Sequence, residues 1–197
     1  MGGNNKIPKH IIVGIPHIDW KEKRGIDLTF SHTRIEYDGD PIDSTVYTDQ
    51  NSGGAELFYQ FLNHELVAAV NKNYSTNGKN ILVGHSYGGY FCSYILARDH
   101  QFSAFQIYDP SIWYSEGEAI KQITANLSKD KQLHVFISYQ PIPPYHAHQI
   151  EFLIHTLQQF ENITLTHQLY EKETHNSLFL PSFLDGIKQL YKDWKKD

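Results

Sequence analysis

Short apolar runs alternate along the chain with longer segments in which apolar residues recur at helical spacing. The short runs, rich in β-branched and aromatic residues, predict buried strands, and the periodic segments predict helices. The predicted strands cover 10–15, 80–85, 104–108, 132–138 and 163–170. The predicted helices cover 53–72, 87–98, 116–127, 147–160 and 180–194. This alternation predicts one α/β domain over 1–197, with a mostly parallel sheet and helices on both faces.

One segment, 16–52, shows little periodicity of either kind. Connections longer than about 12–15 residues without secondary structure are usually functional or mobile. We therefore expect 16–52 to be a long loop excursion, either beside a functional site or as a surface loop.

The charge and hydrophobicity of the chain argue against nucleic-acid and membrane partners. The chain is mildly acidic, with a formal net charge of -5 and 20% charged residues. Its basic cluster, Lys192, Lys195 and Lys196, is too small for the concentrated basic face that nucleic-acid binding needs. No apolar run approaches the ~20 residues that cross a bilayer, and the N-terminus lacks the hydrophobic core of a secretory signal. We expect a soluble cytoplasmic or periplasmic protein that binds neither nucleic acid nor membrane.

Histidine and cysteine spacing argues against a metal site. The single cysteine, Cys92, excludes an internal disulfide and a cysteine-based zinc site. His146 and His148 are two positions apart, so they do not share a helix face, and no carboxylate cluster accompanies them or His155. The Pro- and Tyr-rich stretch 139–146 is better interpreted as a wall of a substrate site. We expect no metal and no cofactor.

The pentapeptide Gly84-His85-Ser86-Tyr87-Gly88 directly follows one predicted strand and precedes a helix. In this context G-x-S-x-G is typical of a serine on a sharp, strained turn that exposes its hydroxyl. Gly84 and Gly88 are expected to leave room for close backbone contacts. The following helix would direct its N-terminal amides, that of Tyr87 first, at an oxyanion forming beside Ser86. We predict Ser86 as a nucleophile.

A serine hydroxyl needs a base to become nucleophilic. His175 lies after the last predicted strand and before the last predicted helix. In proteins with a G-x-S-x-G turn between a strand and a helix, the catalytic histidine lies in this loop. We predict His175 as the general base; a solvated loop histidine is the alternative.

Several stretches together resemble the putative esterase family, which includes enterochelin esterases and esterase D-like enzymes. They are 11–15, 24–29, 54–66, 84–89, 110–114 and 174–177. The resemblance implies a three-layer α/β-hydrolase fold and hydrolysis of a small-molecule ester through an acyl-serine, without metal or cofactor. By family position it implies Arg24 and Trp113 as substrate contacts. Trp113 as a core residue and an Arg24–Asp27 ion pair are the alternatives.

The chain departs from the family pattern at the catalytic acid. The acid usually follows the strand predicted at 132–138, but residues 139–146 contain no carboxylate. A Ser–His dyad is one alternative, and Asp109, after the preceding strand, is another. Asp109 also fits an Asp-Pro turn that caps a strand.

A second departure concerns the N-terminal side. In the family, further strands precede 10–15, and the loop after a central one supplies a second oxyanion donor. The chain begins too late to contain them, so we expect an N-terminally truncated fold. An unfilled sheet would favour self-association into a homo-oligomer. The alternative function is therefore a weakly active or inactive relative that binds a ligand or partner.

Overall fold

The computed structural model describes residues 7–17 and 19–194. The strands are β1 (Asn80–His85), β2 (Phe102–Tyr108), β3 (Leu133–Tyr139) and β4 (Ile163–Leu169). The helices are α1 (Trp20–Leu28), α2 (Ala55–Gln60), α3 (Val67–Asn73), α4 (Tyr87–Ile95), α5 (Glu118–Asn126), α6 (Pro144–Leu157) and α7 (Phe179–Leu190), and a π-helical segment (Phe61–Leu66) joins α2 to α3.

The four strands form one parallel sheet in the order β1-β2-β3-β4. Gly84 lies opposite Ile107 on β2, and Ile107 lies opposite Ile137 on β3. All carboxyl ends therefore meet at one edge of the sheet, where open α/β sheets usually bind ligands.

Side-chain alternation along the strands creates two apolar layers. Phe105 and Ile107 belong to the larger core beneath α4, α5 and α6. Tyr108 and Phe136 point to the opposite face and pack with Leu178 at the start of α7. The predicted parallel sheet with helices on both faces is confirmed.

The predicted strand at 10–15 is wrong. These residues form no strand and are exposed, with Ile12 81% exposed. A β-branched run becomes a strand only where a neighbouring strand accepts its backbone hydrogen bonds. Within 7–17 and 19–194 no strand pairs with it, and the outer edge of β1 is likewise unpaired. The imidazole of His10 instead contacts the Tyr191 hydroxyl at 2.9 Å.

The predicted loop excursion over 16–52 contains helix α1, so the expectation of an unstructured connection is wrong there. The segment is tied to the core: the Tyr114 hydroxyl donates to the carbonyl of Ser31 at 3.0 Å, and the Gly54 amide donates to the carbonyl of Ile26 at 3.0 Å. Because α1 is short and contains Gly25, its helical periodicity is too weak to detect in the sequence.

Candidate active site

Ser86 occupies the turn between β1 and α4. Its backbone has φ 62° and ψ −122°, a conformation that non-glycine residues rarely adopt. The amide of Ser86 donates to the carbonyl of Tyr108 at 3.0 Å, and its own carbonyl accepts from the amides of Tyr90 and Ser111 at 3.0 and 3.1 Å. These bonds hold the strained turn, which leaves Ser86 half-buried.

Of the two glycines of the pentapeptide, close packing requires glycine only at position 84. A Cβ at Gly84 would clash with the carbonyl group of Gly88 and approach Cys92 Sγ to 2.7 Å. At Gly88 itself no atom lies within 4 Å of a Cβ, so the expected close contact there is wrong. The crowded glycine of α4 is Gly89, whose Cβ would lie 2.8 Å from Pro110 Cβ. Position 88 faces open space, whereas position 89 faces the turn after β2.

Asp109 follows β2 and is completely buried. Its backbone also has a positive φ, 39°, and its amide donates to the carbonyl of Ser138 at 2.7 Å. The carboxylate accepts three hydrogen bonds: from the Gln140 amide at 3.2 Å, from His146 Nε2 at 3.1 Å and from His175 Nδ1 at 2.6 Å. Asp109 is therefore more than a residue that caps a strand.

The surroundings of Asp109 keep it ionised. Burial by itself raises the pKa of Asp109, but hydrogen bonds from His146 and His175 outweigh burial and hold the pKa well below its ordinary value. A buried negative charge is thus available beside both imidazoles at neutral pH.

His175 lies in the loop between β4 and α7, with 41% of its side chain exposed. A carboxylate only accepts hydrogen bonds, so the bond to Asp109 places the proton of neutral His175 on Nδ1. This leaves Nε2 as the basic nitrogen. No hydrogen bond joins Ser86 Oγ to His175 within the part of the chain that the structure describes. Such contacts often tighten only when substrate binds.

His85 connects the serine turn to the His175 loop. Its Nε2 lies 2.8 Å from the carbonyl oxygen of His175, and the two rings are 4.4 Å apart between centroids. Burial and the neighbouring His175 lower the pKa of His85 to about 4. His85 is therefore neutral at pH 7 and donates Nε2–H to the loop.

Arg24 packs against Tyr87, the residue that follows Ser86. The Tyr87 amide is in the first turn of α4, where backbone amides have no intrahelical acceptor. Arg24 lies over the Tyr87 ring at 5.0 Å, and the Tyr87 hydroxyl is 3.1 Å from that of Tyr47. The alternative Arg24–Asp27 ion pair is not formed, since Asp27 pairs with His17 at 3.1 Å.

Trp113 is 5% exposed and belongs to the larger core. Its ring packs against Tyr87 and Tyr114 at centroid distances of 6.3 and 5.7 Å. This burial favours the core alternative over direct substrate contact.

His146 is the site residue that sequence reasoning did not identify. It lies in the first turn of α6 and is 4% exposed. A buried histidine carries no distinguishing local pattern, and its partner Asp109 is 37 residues away in the chain. Only the folded structure reveals the contact.

Among the described residues, no group of three or more His, Cys, Asp or Glu side chains is arranged to hold a metal ion. None of the helices in 7–17 and 19–194 combines the length and apolar character needed to cross a bilayer.

Solved structures resemble this architecture. The chain is similar to the IroE-like serine hydrolase from Shewanella oneidensis, with 28% identity and a TM-score of 0.81; the match covers 98% of this chain and 63% of that one. It is also similar to the siderophore hydrolase EstA from Aspergillus nidulans (20% identity, TM-score 0.70, 86% of this chain and 66% of that one). The chain is similar as well to the BES protein from Bacillus cereus, with 24% identity and a TM-score of 0.68; this match covers 84% of this chain and 64% of that one. The chain therefore has an α/β-hydrolase fold and spans about two thirds or less of these relatives.

The family follows from the sequence match. The protein-family model described as "Putative esterase" matches residues 2–139, which is more than half of the chain. The chain belongs to the putative esterase family, and the resemblance found in its motifs is confirmed. No functionally curated protein matches the chain by sequence.

Proposed function

We propose that this protein is a serine hydrolase that cleaves a carboxylic ester through an acyl-Ser86 intermediate. The observation that carries the proposal is the 2.6 Å hydrogen bond between His175 and the buried Asp109, next to the strained turn that presents Ser86. An ionised acid, an imidazole with a free Nε2 and a half-exposed hydroxyl are the parts that acyl transfer requires.

In the proposed reaction, Ser86 Oγ attacks the ester carbonyl carbon while its proton passes to His175 Nε2. Asp109 stabilises the resulting imidazolium, and the Tyr87 amide donates to the oxyanion. The C–O bond then breaks, and the alcohol leaves with the proton from His175. A water molecule, deprotonated by the same Nε2, hydrolyses the acyl-serine and releases the acid.

The proposed substrate class is a small-molecule ester, and the name of one similar structure, the siderophore hydrolase EstA, suggests a siderophore. On this chain the groups available beside Ser86 are a guanidinium and aromatic rings. Arg24 is half-buried over Tyr87, so its side chain is already ordered before an anionic or aromatic substrate arrives. This arrangement supports an ester that carries an anionic or aromatic group.

A fluorophosphonate probe tests the nucleophile directly. We expect the wild-type chain to be labelled and to hydrolyse short p-nitrophenyl esters, and Ser86→Ala to abolish both. Ser93→Ala is the matched control, because Ser93 is a fully buried serine of α4 that bonds the Gly89 carbonyl. Labelling of Ser86→Ala at the wild-type rate would rule out Ser86 as nucleophile.

A ligand- or partner-binding domain without turnover is the second candidate. It is favoured by one observation: within the described residues, Ser86 Oγ is not hydrogen-bonded to His175. This candidate predicts a folded protein that neither reacts with the probe nor hydrolyses p-nitrophenyl esters.

A further inference from the structure

The carboxylate of Asp109 is shared between two imidazoles. His175 Nδ1 binds Oδ2 at 2.6 Å, and His146 Nε2 binds Oδ1 at 3.1 Å. The Gln140 amide also donates to Oδ1 at 3.2 Å. Each oxygen therefore has a separate task, and only Oδ2 faces the proposed base.

The hydrogen bond to Asp109 defines which nitrogen of His146 acts as a donor. Its Nδ1 is buried and has no hydrogen-bond partner among the described residues. Because a carboxylate only accepts, Nε2 must carry a proton. His146 is thus a hydrogen-bond donor to Asp109 through Nε2.

We propose that His146 is a positioning residue for the reaction, a role that rests on the proposed function. The terminal torsion of an aspartate is soft, so a carboxylate held at one oxygen can rotate. Donors from three segments remove that freedom: His146 on α6, Gln140 after β3, and His175 in the loop before α7. By fixing Oδ1, His146 keeps Oδ2 directed at His175 Nδ1 and so holds its ring in the productive orientation.

The burial of His146 fits a positioning role better than a role as a direct proton acceptor. A direct proton acceptor would need access to substrate, whereas His146 is 4% exposed and the side chain of His175 is 41% exposed. The rings of His146 and His175 approach edge to face at 6.5 Å, with the carboxylate bonded to both.

The test compares His146→Leu with His146→Gln. Leu fills the space without a donor, whereas the Gln amide keeps an N–H for Oδ1. We expect His146→Leu to lower kcat by up to about 10²-fold with little change in KM, since misplacement of a catalytic group acts on the chemical step. His146→Gln should recover most of the loss. His148→Leu is the control, because His148 is exposed on the same helix.

Proton NMR provides a readout that needs no turnover. The wild-type protein should show two downfield imidazole N–H signals, from His175 Nδ1–H and His146 Nε2–H. In His146→Leu the His146 signal should disappear and that of His175 should shift or broaden; in His146→Gln the His175 signal should return toward its wild-type position.

Wild-type kcat in a folded His146→Leu variant, or an unchanged His175 signal, would overturn the positioning role. If no variant and no wild-type sample hydrolyses an ester, the proposed function fails. The NMR signals then still decide whether His146 orients Asp109 toward His175.

Discussion

The two halves of the candidate site are organised differently. The acid half, Asp109 with His146 and His175, is held by three hydrogen bonds to a carboxylate that is completely buried. The nucleophile half, Ser86 with Tyr87, is half-buried. Its order comes from the backbone, because bonds to the amide and carbonyl of Ser86 fix the turn.

The difference follows from what each half must do. A carboxylate can remain ionised in the interior only if donors surround it, so the Asp109 carboxylate of the acid half is buried and accepts three hydrogen bonds. A nucleophile must meet substrate, so its order has to come from backbone geometry instead of side-chain contacts. His85 joins the halves, because it precedes Ser86 and binds the carbonyl of His175 at 2.8 Å.

The largest expected effect comes from neutralising the acid half with Asp109→Asn. An amide can donate to His175 Nδ1 and so favour the wrong tautomer; in a serine protease this change lowers kcat about 10⁴-fold. We expect a decrease of that order in steady-state ester hydrolysis. Asp130→Asn, an exposed aspartate before β3, is the control. A decrease of only a few fold would mean that Ser86 and His175 work as a dyad.

A smaller effect should follow from distorting the nucleophile half with Gly84→Ala. Its methyl group would clash with the Gly88 carbonyl, so the turn must shift. Overpacking of this kind costs about 1–3 kcal/mol, measured as the free energy of unfolding in urea, and probe labelling of Ser86 should slow in parallel.

Gly88→Ala is the matched variant, because a Cβ there meets no atom within 4 Å. It should leave the free energy of unfolding unchanged or raise it by up to about 1 kcal/mol, since alanine is the better helix former. Equal destabilisation by Gly84→Ala and Gly88→Ala would contradict the difference in packing between these two positions.

The smallest expected effect concerns His85, which connects the two halves, and is a change in how the free energy of unfolding depends on pH. The pKa of His85 is lowered from 6.5 to about 4 in the folded protein. On acidification His85 therefore takes up a proton in the unfolded chain before it does so in the folded protein. The contribution of neutral, buried His85 to the free energy of unfolding is complete above pH 6.5 and is lost as pH falls toward 4. His85→Gln keeps an N–H donor without titrating, and should remove this part of the pH dependence measured by urea unfolding.

His100→Gln is the control that distinguishes an effect on stability alone from an effect on the candidate active site. Burial also lowers the pKa of His100 to about 4, but His100 precedes β2, at the end of the sheet opposite Ser86. Both variants should flatten stability over the same pH window, whereas only His85→Gln should alter probe labelling. An unchanged pH dependence in His85→Gln would contradict a buried neutral imidazole at this position.

Sequence reasoning predicted the paired strands well, because each is a short segment that is either mainly apolar or alternates apolar and polar residues. It failed for 10–15, where the run is equally apolar but no described strand pairs with it. The helix predicted over 53–72 is present but passes through the π-helical segment 61–66, and Leu57, an apolar residue within it, is 81% exposed. Pairing partners and local changes of helical pitch are not encoded in periodicity.

The sequence by itself determined the order of the paired strands and helices, and the strained turn at Ser86, because these depend on residues adjacent in the chain. Only the tertiary structure determines which residues surround the carboxylate of Asp109 in the acid half. Asp109 lies 37 residues from His146 and 66 from His175, and only the parallel register of β2, β3 and β4 brings their following segments to one edge. Local patterns cannot specify such a meeting, since it depends on how separate strands align in the sheet.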